Sequence, residues 1–232
     1  MEASVADARW EGPNVTVEMT PPIRRQGRPR KTLLSAPAIY LAALDLIDRE
    51  GADAFSLVKL AKELGVQMAS LYNHVDNREQ VIQGVRGLLA AEIGGLVLGQ
   101  VGWEETLGEW ARAYRAVFAR HPNTVKLLAT TPVRSAPVLD QYEQVVVALE
   151  SSDWPLSEVL WLLTALESFV LGSVLDMVAP EQMIDLSADA LAHPRLTAAK
   201  DAAPHQGRAD AAFEFGLTAL LAGFREHLTK GG

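Results

Sequence analysis

The chain has 232 residues, of which 49% are hydrophobic and 22% charged, a composition that excludes a wholly disordered protein. It contains no cysteine, which excludes disulfide scaffolds, thiolate zinc sites and cysteine nucleophiles and fits a reducing cytoplasm, the location that we expect. The polar start, with Glu2, Asp7 and Glu11, does not have the pattern of a signal peptide.

The formal net charge of −8 is divided unevenly along the chain. Residues 24–86 carry a net charge of +3, whereas residues 1–23 carry −3 and residues 87–232 carry −8. This division predicts a basic module joined to an acidic one. Five cations crowd into eight residues at the start of the basic module, namely Arg24, Arg25, Arg28, Arg30 and Lys31. They form either a flexible cationic arm with a binding role or a solvated linker.

Helical signals dominate the chain from residue 35 onward. Ser35 and Ser56 have side chains suited to cap two helices, which Gly51 and Gly65 end. Apolar residues at helical spacing predict further helices, and no alternating pattern is long enough for a sheet. These helices run from about 67 to 74, 78 to 98, 103 to 120, 138 to 151, 155 to 178 and 209 to 228, with a short one near 187 to 192. The predicted fold class is all-α.

The second and third predicted helices have the layout of a helix-turn-helix. Gly65 stands at the turn between them, and Leu71 and Val75 place apolar side chains on the inner face. The outer face of the third helix then carries groups that can bond to base edges or phosphates, and Ser56 offers a phosphate contact at a helix start. These outer residues are Gln67, Met68, Ser70, Asn73 and His74. An ordinary helical hairpin with a solvated polar face is the alternative.

A motif in the same region carries a family resemblance. Residues 64–75 read LGVQMASLYNHV and are followed by Asn77-Arg78-Glu79, which resembles the recognition-helix signature of the tetracycline-repressor (TetR) family. The resemblance implies that Ser70, Tyr72 and His74 contact DNA and that Arg78 holds a phosphate. It also implies a three-helix DNA-binding domain, followed by a helical bundle that binds a ligand and dimerises. Ala69, Asn73 and Val58 depart from the best-known member, so the operator sequence cannot be carried over.

The chain is accordingly divided into three parts. Residues 1–31 are expected to form a disordered tail with the basic arm, residues 32–78 the DNA-binding domain, and residues 79–232 the ligand-binding and dimerisation domain. Beside a DNA-binding domain, Arg28, Arg30 and Lys31 become candidate contacts to the minor groove and to phosphates. Three later segments also resemble the tetracycline-repressor subclass, namely residues 102–121, 165–176 and 210–217.

Two helices are expected to form a homodimer interface, Pro155–Val178 and Ala209–Leu228. The first is apolar nearly all round, and its three carboxylates (Glu158, Glu167 and Asp176) favour a soluble core helix over a membrane span. Two such helices from each of two subunits make a four-helix interface with two-fold symmetry, which a palindromic operator requires. Burial of both helices within one subunit is the alternative.

Aromatic residues at helical spacing, among them Trp110, Tyr114 and Phe118, form a stripe that is either plain core or the wall of an apolar pocket. Together with polar residues on other helices, they are the candidate ligand contacts. The full set is Trp110, Tyr114, Phe118, Thr130, Gln144, Thr164 and Ser168. In the resemblance, Leu127 falls on the subclass's magnesium-binding histidine and Asp176 on its glutamate. We therefore predict a metal-independent, apolar or aromatic effector and no cofactor.

The sequence predicts a transcriptional repressor that binds a palindromic operator as a dimer and is released by a small effector. A regulator without ligand control, or an activator with the same DNA-binding domain, remains open. An all-α enzyme is the remote alternative from another class. The five histidines show no close metal-binding spacing, no phosphate-binding glycine loop occurs, and no sequence context activates a nucleophile. We therefore expect no enzymatic activity.

Overall fold

A computed structural model describes residues 34–94, 102–186, 191–203 and 207–231. Within these ranges every regular element is helical and no strand occurs, which confirms the all-α prediction. The α-helices are α1 (Ala36–Glu50), α2 (Leu57–Glu63), α3 (Met68–Tyr72), α4 (Arg78–Ile93), α5 (Trp103–Arg120), α6 (Val125–Ala129), α7 (Ala136–Glu150), α8 (Leu156–Met177), α9 (Pro194–Ala202) and α10 (Arg208–Gly231). Short 3₁₀ helices occupy Ala52–Ala54 and Pro122–Thr124.

Polar side chains cap three of the first four helices, two of them as predicted. The side-chain oxygens of Ser35, Ser56 and Asn77 accept hydrogen bonds from the backbone N–H groups three residues later, at 3.4, 3.3 and 2.9 Å. These caps satisfy amide groups that a helix start leaves without partners. Gly51 and Gly65 follow α1 and α2 with φ angles of +85° and +65°, a region that favours glycine.

Three parts of the helical prediction are corrected by the structure. α4 ends at Ile93 and not near Leu98, because Gly94 takes a φ of +79°; residues 95–101 lie outside the described ranges. Of the short helix predicted near 187 to 192, residues 187–190 also lie outside, and residues 191–193 are not helical. The helix of this segment is α9, which begins at Pro194, a residue whose fixed φ suits a first turn. The five-residue helix α6 was not predicted.

A first hydrophobic core joins the four N-terminal helices to the ends of α5 and α6. Its fully buried members include residues from each of α1 to α4, namely Ile39, Ile47, Leu60, Leu71 and Ile82. Phe118 of α5 and Leu128 of α6 belong to the same cluster. The helix-turn-helix therefore packs directly on the helices that follow it.

A second hydrophobic core is built from α5, α7, α8 and α10. Leu107, Leu149, Leu166 and Leu217, one from each of these helices, are fully buried. Trp154, between α7 and α8, is also buried and meets Trp103 edge-on with ring centroids 5.3 Å apart. α4 contacts α1 on one side and both α5 and α7 on the other, so it connects the two cores.

Among the described helices, α8 is long and apolar enough to cross a membrane, with a mean hydropathy of 1.6 over its most apolar window. Its inner face, however, packs in the second core, and each of its three carboxylates bonds to a side chain of another helix. Those pairs are Glu158 with His227, Glu167 with Tyr142 and Asp176 with Arg208. Partners of this kind are typical of a core helix in a globular protein.

The packing of α1 against α4 requires a glycine at position 84. A Cβ atom built there would lie only 2.4 Å from ring carbons of Tyr40, well inside the contact distance of two carbon atoms. Because the ring itself stands in the way, neither helix can keep its position if a side chain is added. Gly84 therefore sets the distance between α1 and α4.

We expect Gly84→Ala to lower the free energy of unfolding by about 1–3 kcal/mol, because it overpacks this contact. The matched control is Gly108→Ala in α5, where a Cβ would lie 3.4 Å from its nearest neighbours, an ordinary van der Waals distance. The control should be neutral or stabilising by about 0.5–1 kcal/mol, the usual gain for alanine over glycine in a helix. Urea unfolding followed by circular dichroism measures both. Equal stability of Gly84→Ala and wild type would contradict this packing.

Candidate DNA interface and ligand cavity

The third helix has a buried inner face and an exposed polar outer face, as the helix-turn-helix prediction requires. Leu71 and Val75 have exposed fractions of 0% and 1%. Five other side chains of this segment are exposed to solvent, namely Gln67, Ser70, Tyr72, Asn73 and His74. The structure thus leaves five of the predicted DNA contacts exposed along one short segment.

Three further predicted DNA contacts lie beside these residues, and each already interacts with other groups of the chain. Met68 is half-buried and packs against the first core, so only part of its side chain faces outward. The Ser56 hydroxyl accepts the capping hydrogen bond of α2. The guanidinium of Arg78 is exposed and lies over the ring of Phe55, 5.3 Å from its centroid. Val58, in the first turn of α2, is 68% exposed.

The predicted basic arm cannot be placed on this surface. Arg28, Arg30 and Lys31 lie outside the described residues. Their role in DNA binding stays a prediction from the sequence.

Polar contacts fasten α1 to the segment that follows α5. The Nδ1 atom of His121 lies 2.7 Å from the carboxylate of Asp48, and Asn123 donates a hydrogen bond to the Asp48 carbonyl at 2.8 Å. Lys126 pairs with Asp53 at 2.9 Å. The contacts of His121 and Asn123 therefore join the end of α5 to α1, and the exposed Lys126–Asp53 pair joins α6 to the 3₁₀ helix that follows α1.

A cavity lies between α4, α5, α7 and α8, and its wall on α5 is aromatic. Trp110, Tyr114 and Phe118 follow one another along this wall, with ring centroids 5.0 and 4.7 Å apart. Tyr114 and Phe118 are nearly parallel, at 15°. Apolar residues from the other helices complete the lining, among them Leu89, Ile93, Val138, Val145 and Leu163. The three aromatic residues predicted as ligand contacts therefore do line one cavity.

The cavity also contains polar groups that the sequence did not single out as contacts. Arg86 of α4, Gln141 and Tyr142 of α7, and Glu167 of α8 all line it. The Tyr142 hydroxyl donates a hydrogen bond to Glu167 Oε1. Burial raises the pKa of Glu167 and of Tyr142, and it lowers the pKa of Arg86. The site thus combines one cation, one carboxyl group and several aromatic rings.

Four of the predicted polar contacts lie elsewhere. Thr130, Gln144, Thr164 and Ser168 are exposed and do not line the cavity, so the structure does not bring them together with the aromatic wall. The hydroxyls of Thr130 and Thr164 donate to backbone carbonyls one turn earlier, at 2.8 and 2.7 Å. Gln144, Thr164 and Ser168 lie on the outward faces of their helices, and Thr130 follows the end of α6.

The positions that correspond to magnesium ligands in the resemblance do not fit a magnesium ion. Leu127 is buried and has no lone pair to offer. Arg208 Nη1 donates a hydrogen bond to the Asp176 carboxylate at 2.8 Å, so the second carboxylate that could bind magnesium is already paired with a cation. The described residues contain no cluster of three or more histidine, aspartate or glutamate side chains that could hold a metal. A hard cation needs several oxygen ligands in a fixed geometry, and these residues do not supply them.

The outer faces of α8 and α10 expose large apolar side chains. Leu160 and Trp161 of α8 are 61% and 72% exposed, and Phe215 of α10 is 80% exposed. Between the two helices, Gly216 permits close approach, since a Cβ there would lie 2.6 Å from the Phe169 ring. Large apolar side chains exposed on two neighbouring helices are typical of an interaction site.

Comparison with known proteins agrees with these features. The family model described as tetracyclin repressor-like, C-terminal domain, matches residues 97–228. The class E tetracycline repressor protein of Escherichia coli is 29% identical over 202 residues, which cover 85% of this chain and 93% of that protein.

Two solved structures are similar to the chain over most of its length. The TetR family protein ActR of Streptomyces coelicolor, in complex with actinorhodin, is 25% identical with a TM-score of 0.70, covering 87% of this chain and 98% of that one. TetR-Q116A of Acinetobacter baumannii, in complex with minocycline, is 25% identical with a TM-score of 0.63, covering 84% and 98%.

Proposed function

The chain belongs to the TetR family of transcriptional regulators, and on that premise we propose that it is a repressor released from its operator by a small molecule. The observation that carries the proposal is the exposed polar face of α3 above buried Leu71 and Val75. A helix of this kind presents its outer side chains to the major groove, where base edges can be distinguished. The site of action is the cytoplasm, where the DNA lies.

The repressor is proposed to act as a homodimer through α8 and α10. Leu160, Trp161 and Phe215 are large apolar side chains exposed on these two helices, and a second copy of the same face would cover them with two-fold symmetry. The two α3 helices of such a dimer can lie about 34–36 Å apart and enter successive major grooves of a palindromic site.

The cavity beside Trp110 and Tyr114 is the proposed effector site. Its volume is about 50 Å³, enough for a few water molecules but far below the roughly 300–1,000 Å³ of typical ligand pockets. An aromatic effector therefore has to move the walls apart, and α4 is one of them. Because α4 also packs on α1, the open form differs in the DNA-binding part, with a coupling typically of about 1–3 kcal/mol.

The first test concerns the face of α3. Replacing Ser70, Asn73 and His74 by alanine should abolish specific operator binding, since removing one base contact costs about 1–3 kcal/mol. The operator is first located by footprinting the DNA upstream of the chain's own coding sequence, and affinity is then measured by fluorescence anisotropy. The variant should unfold like wild type, because all three side chains are exposed.

The control for this test is Gln144→Ala, an exposed residue on α7, which should leave operator affinity unchanged. Retention of wild-type affinity by the triple variant would mean that α3 does not read the operator, and the proposal would be abandoned.

The second test concerns the basic arm. Deletion of residues 1–31 should flatten the dependence of log affinity on log salt by about 0.9 for each phosphate that the arm neutralises. Affinities measured at a series of salt concentrations give the slope. An identical slope with and without the arm would show that these residues act as a linker only.

The third test concerns metal dependence. Because Leu127 and the Asp176–Arg208 pair do not provide magnesium ligands, tetracycline with excess Mg²⁺ should not bind in an EDTA-sensitive manner. Titration calorimetry with Mg²⁺, and again with EDTA, makes the comparison. Tight binding that EDTA abolishes would contradict the proposed metal-independent site.

A further inference from the structure

The side chain of Arg78 rests on an aromatic ring. Its guanidinium carbon lies 5.3 Å from the centroid of the Phe55 ring, within the range of a cation–π contact. Phe55 is 4% exposed and belongs to the first hydrophobic core, in the connection between the 3₁₀ helix Ala52–Ala54 and α2. Because close packing restricts a buried ring, Phe55 offers a fixed surface to the exposed cation beside it.

Arg78 differs from neighbouring cations in having no polar partner among the described residues. Arg49 forms an ion pair with Glu63 at 2.9 Å. Lys59 forms one with Glu50 at 2.7 Å. The side chain of Arg78 forms neither an ion pair nor a hydrogen bond in this part of the chain, and its contact with the ring is the interaction that the structure shows. Its N–H donors are therefore available to an anion.

The position of Arg78 in its helix is normally unfavourable for a cation. Arg78 is the first residue of α4. The aligned peptide dipoles leave the N-terminal end of a helix partly positive, which favours acidic side chains there and disfavours basic ones. The ring of Phe55 offsets this effect, because the face of an aromatic ring is the negative part of its quadrupole. A phosphate oxygen would offset it further by accepting charge-assisted hydrogen bonds from the guanidinium.

Another cation–ring pair in the chain has different surroundings. Arg115 lies over Phe213, 4.4 Å from the ring centroid, but it is buried and also bonds to Asp210 at 2.7 Å. Arg115 is therefore neutralised within the chain. In the pair of Arg78 and Phe55 the ring is buried and the cation is exposed, so the cation remains accessible to a binding partner.

We propose that Phe55 is a positioning residue for DNA binding, whose ring holds the Arg78 guanidinium at the start of α4 for contact with a DNA phosphate. This inference rests on the proposed function, because a phosphate lies there only when α3 is on DNA. An arginine side chain loses rotational freedom when it binds, and a ring that restricts it beforehand lowers this cost. Loss of the cation–π contact should therefore weaken operator binding about two- to fivefold, the factor that corresponds to such a contact at an exposed site.

The experiment replaces Phe55 by phenylalanines that carry one, two and three ring fluorines, incorporated site-specifically into the full-length chain. Fluorine withdraws electron density from the face of the ring and changes its shape little, so the packing of the core is kept. Operator affinity, measured by fluorescence anisotropy, should fall with each added fluorine and reach the full loss with three. The matched control is the same fluorination of Phe213, which weakens the contact with Arg115 and should leave operator affinity unchanged.

The variant Arg78→Met tests whether the ring acts through the cation. It keeps a long unbranched side chain and removes the charge, so it should flatten the dependence of log affinity on log salt by about 0.9, the value for one phosphate contact. Fluorination of Phe55 in this variant should have no further effect on affinity. Urea unfolding of each variant establishes that the affinities compared are those of folded protein.

The outcomes separate this inference from the proposed function. If three fluorines leave operator affinity unchanged, or weaken it equally in the Arg78→Met variant, Phe55 does not position Arg78 and the inference is wrong. If Arg78→Met changes neither affinity nor salt dependence, Arg78 holds no phosphate and the inference is also wrong. In each of these cases the triple replacement of Ser70, Asn73 and His74 still decides separately whether α3 reads the operator.

Discussion

The packing of α4 between two groups of helices is the constraint on which the rest of the structure depends. Its first half belongs to the core of the helix-turn-helix, where Gly84 admits Tyr40 of α1. Its second half lines the cavity with Leu89 and Ile93. One rigid helix of 16 residues thus borders both candidate sites. α4 therefore connects the wall of the cavity to the core that supports the helix-turn-helix.

Side chains of α4 also hold the connection between α6 and α7. Arg86 donates to two carbonyls of this segment, and Gln83 donates to the Pro132 carbonyl at 2.8 Å while accepting from the Arg134 N–H at 3.0 Å. Such bonds are directional, so they fix the rotation of α4 more strictly than apolar packing alone does. Arg86 takes part both in this connection and in the cavity, which makes it sensitive to what the cavity contains.

The helices and the recognition face could be predicted from the sequence because their signals are local. Caps at Ser35 and Ser56, glycines at 51 and 65, and helical spacing of apolar residues depend on neighbours a few positions away. The exposed side of α3 could be predicted in the same way, from the apolar residues Leu71 and Val75 on its buried side. The aromatic wall of the cavity could likewise be predicted, because its aromatic residues recur at helical spacing along α5.

The polar part of the cavity could not be predicted in this way, because it depends on contacts between distant segments. Arg86 meets Leu128 and Thr131 across more than 40 positions of sequence, and Tyr142 meets Glu167 across 25. A signal was nevertheless present. Glu167 stands four residues after buried Leu163 and three before buried Val170, on the inward face of α8, whereas Thr164 and Ser168 fall on the outward face. The position of each residue around the helix axis, rather than its residue type, would have identified Glu167 as the residue of α8 that lines the cavity.

Hydrogen exchange with and without bound operator DNA tests the role of α4 most directly. If α4 connects the two sites, DNA should slow amide exchange in α3 and also in the second half of α4, at the cavity-lining residues Leu89, Ala90 and Ile93. Protection confined to α2, α3 and the first turn of α4 would contradict the account, because the cavity would then be independent of DNA binding.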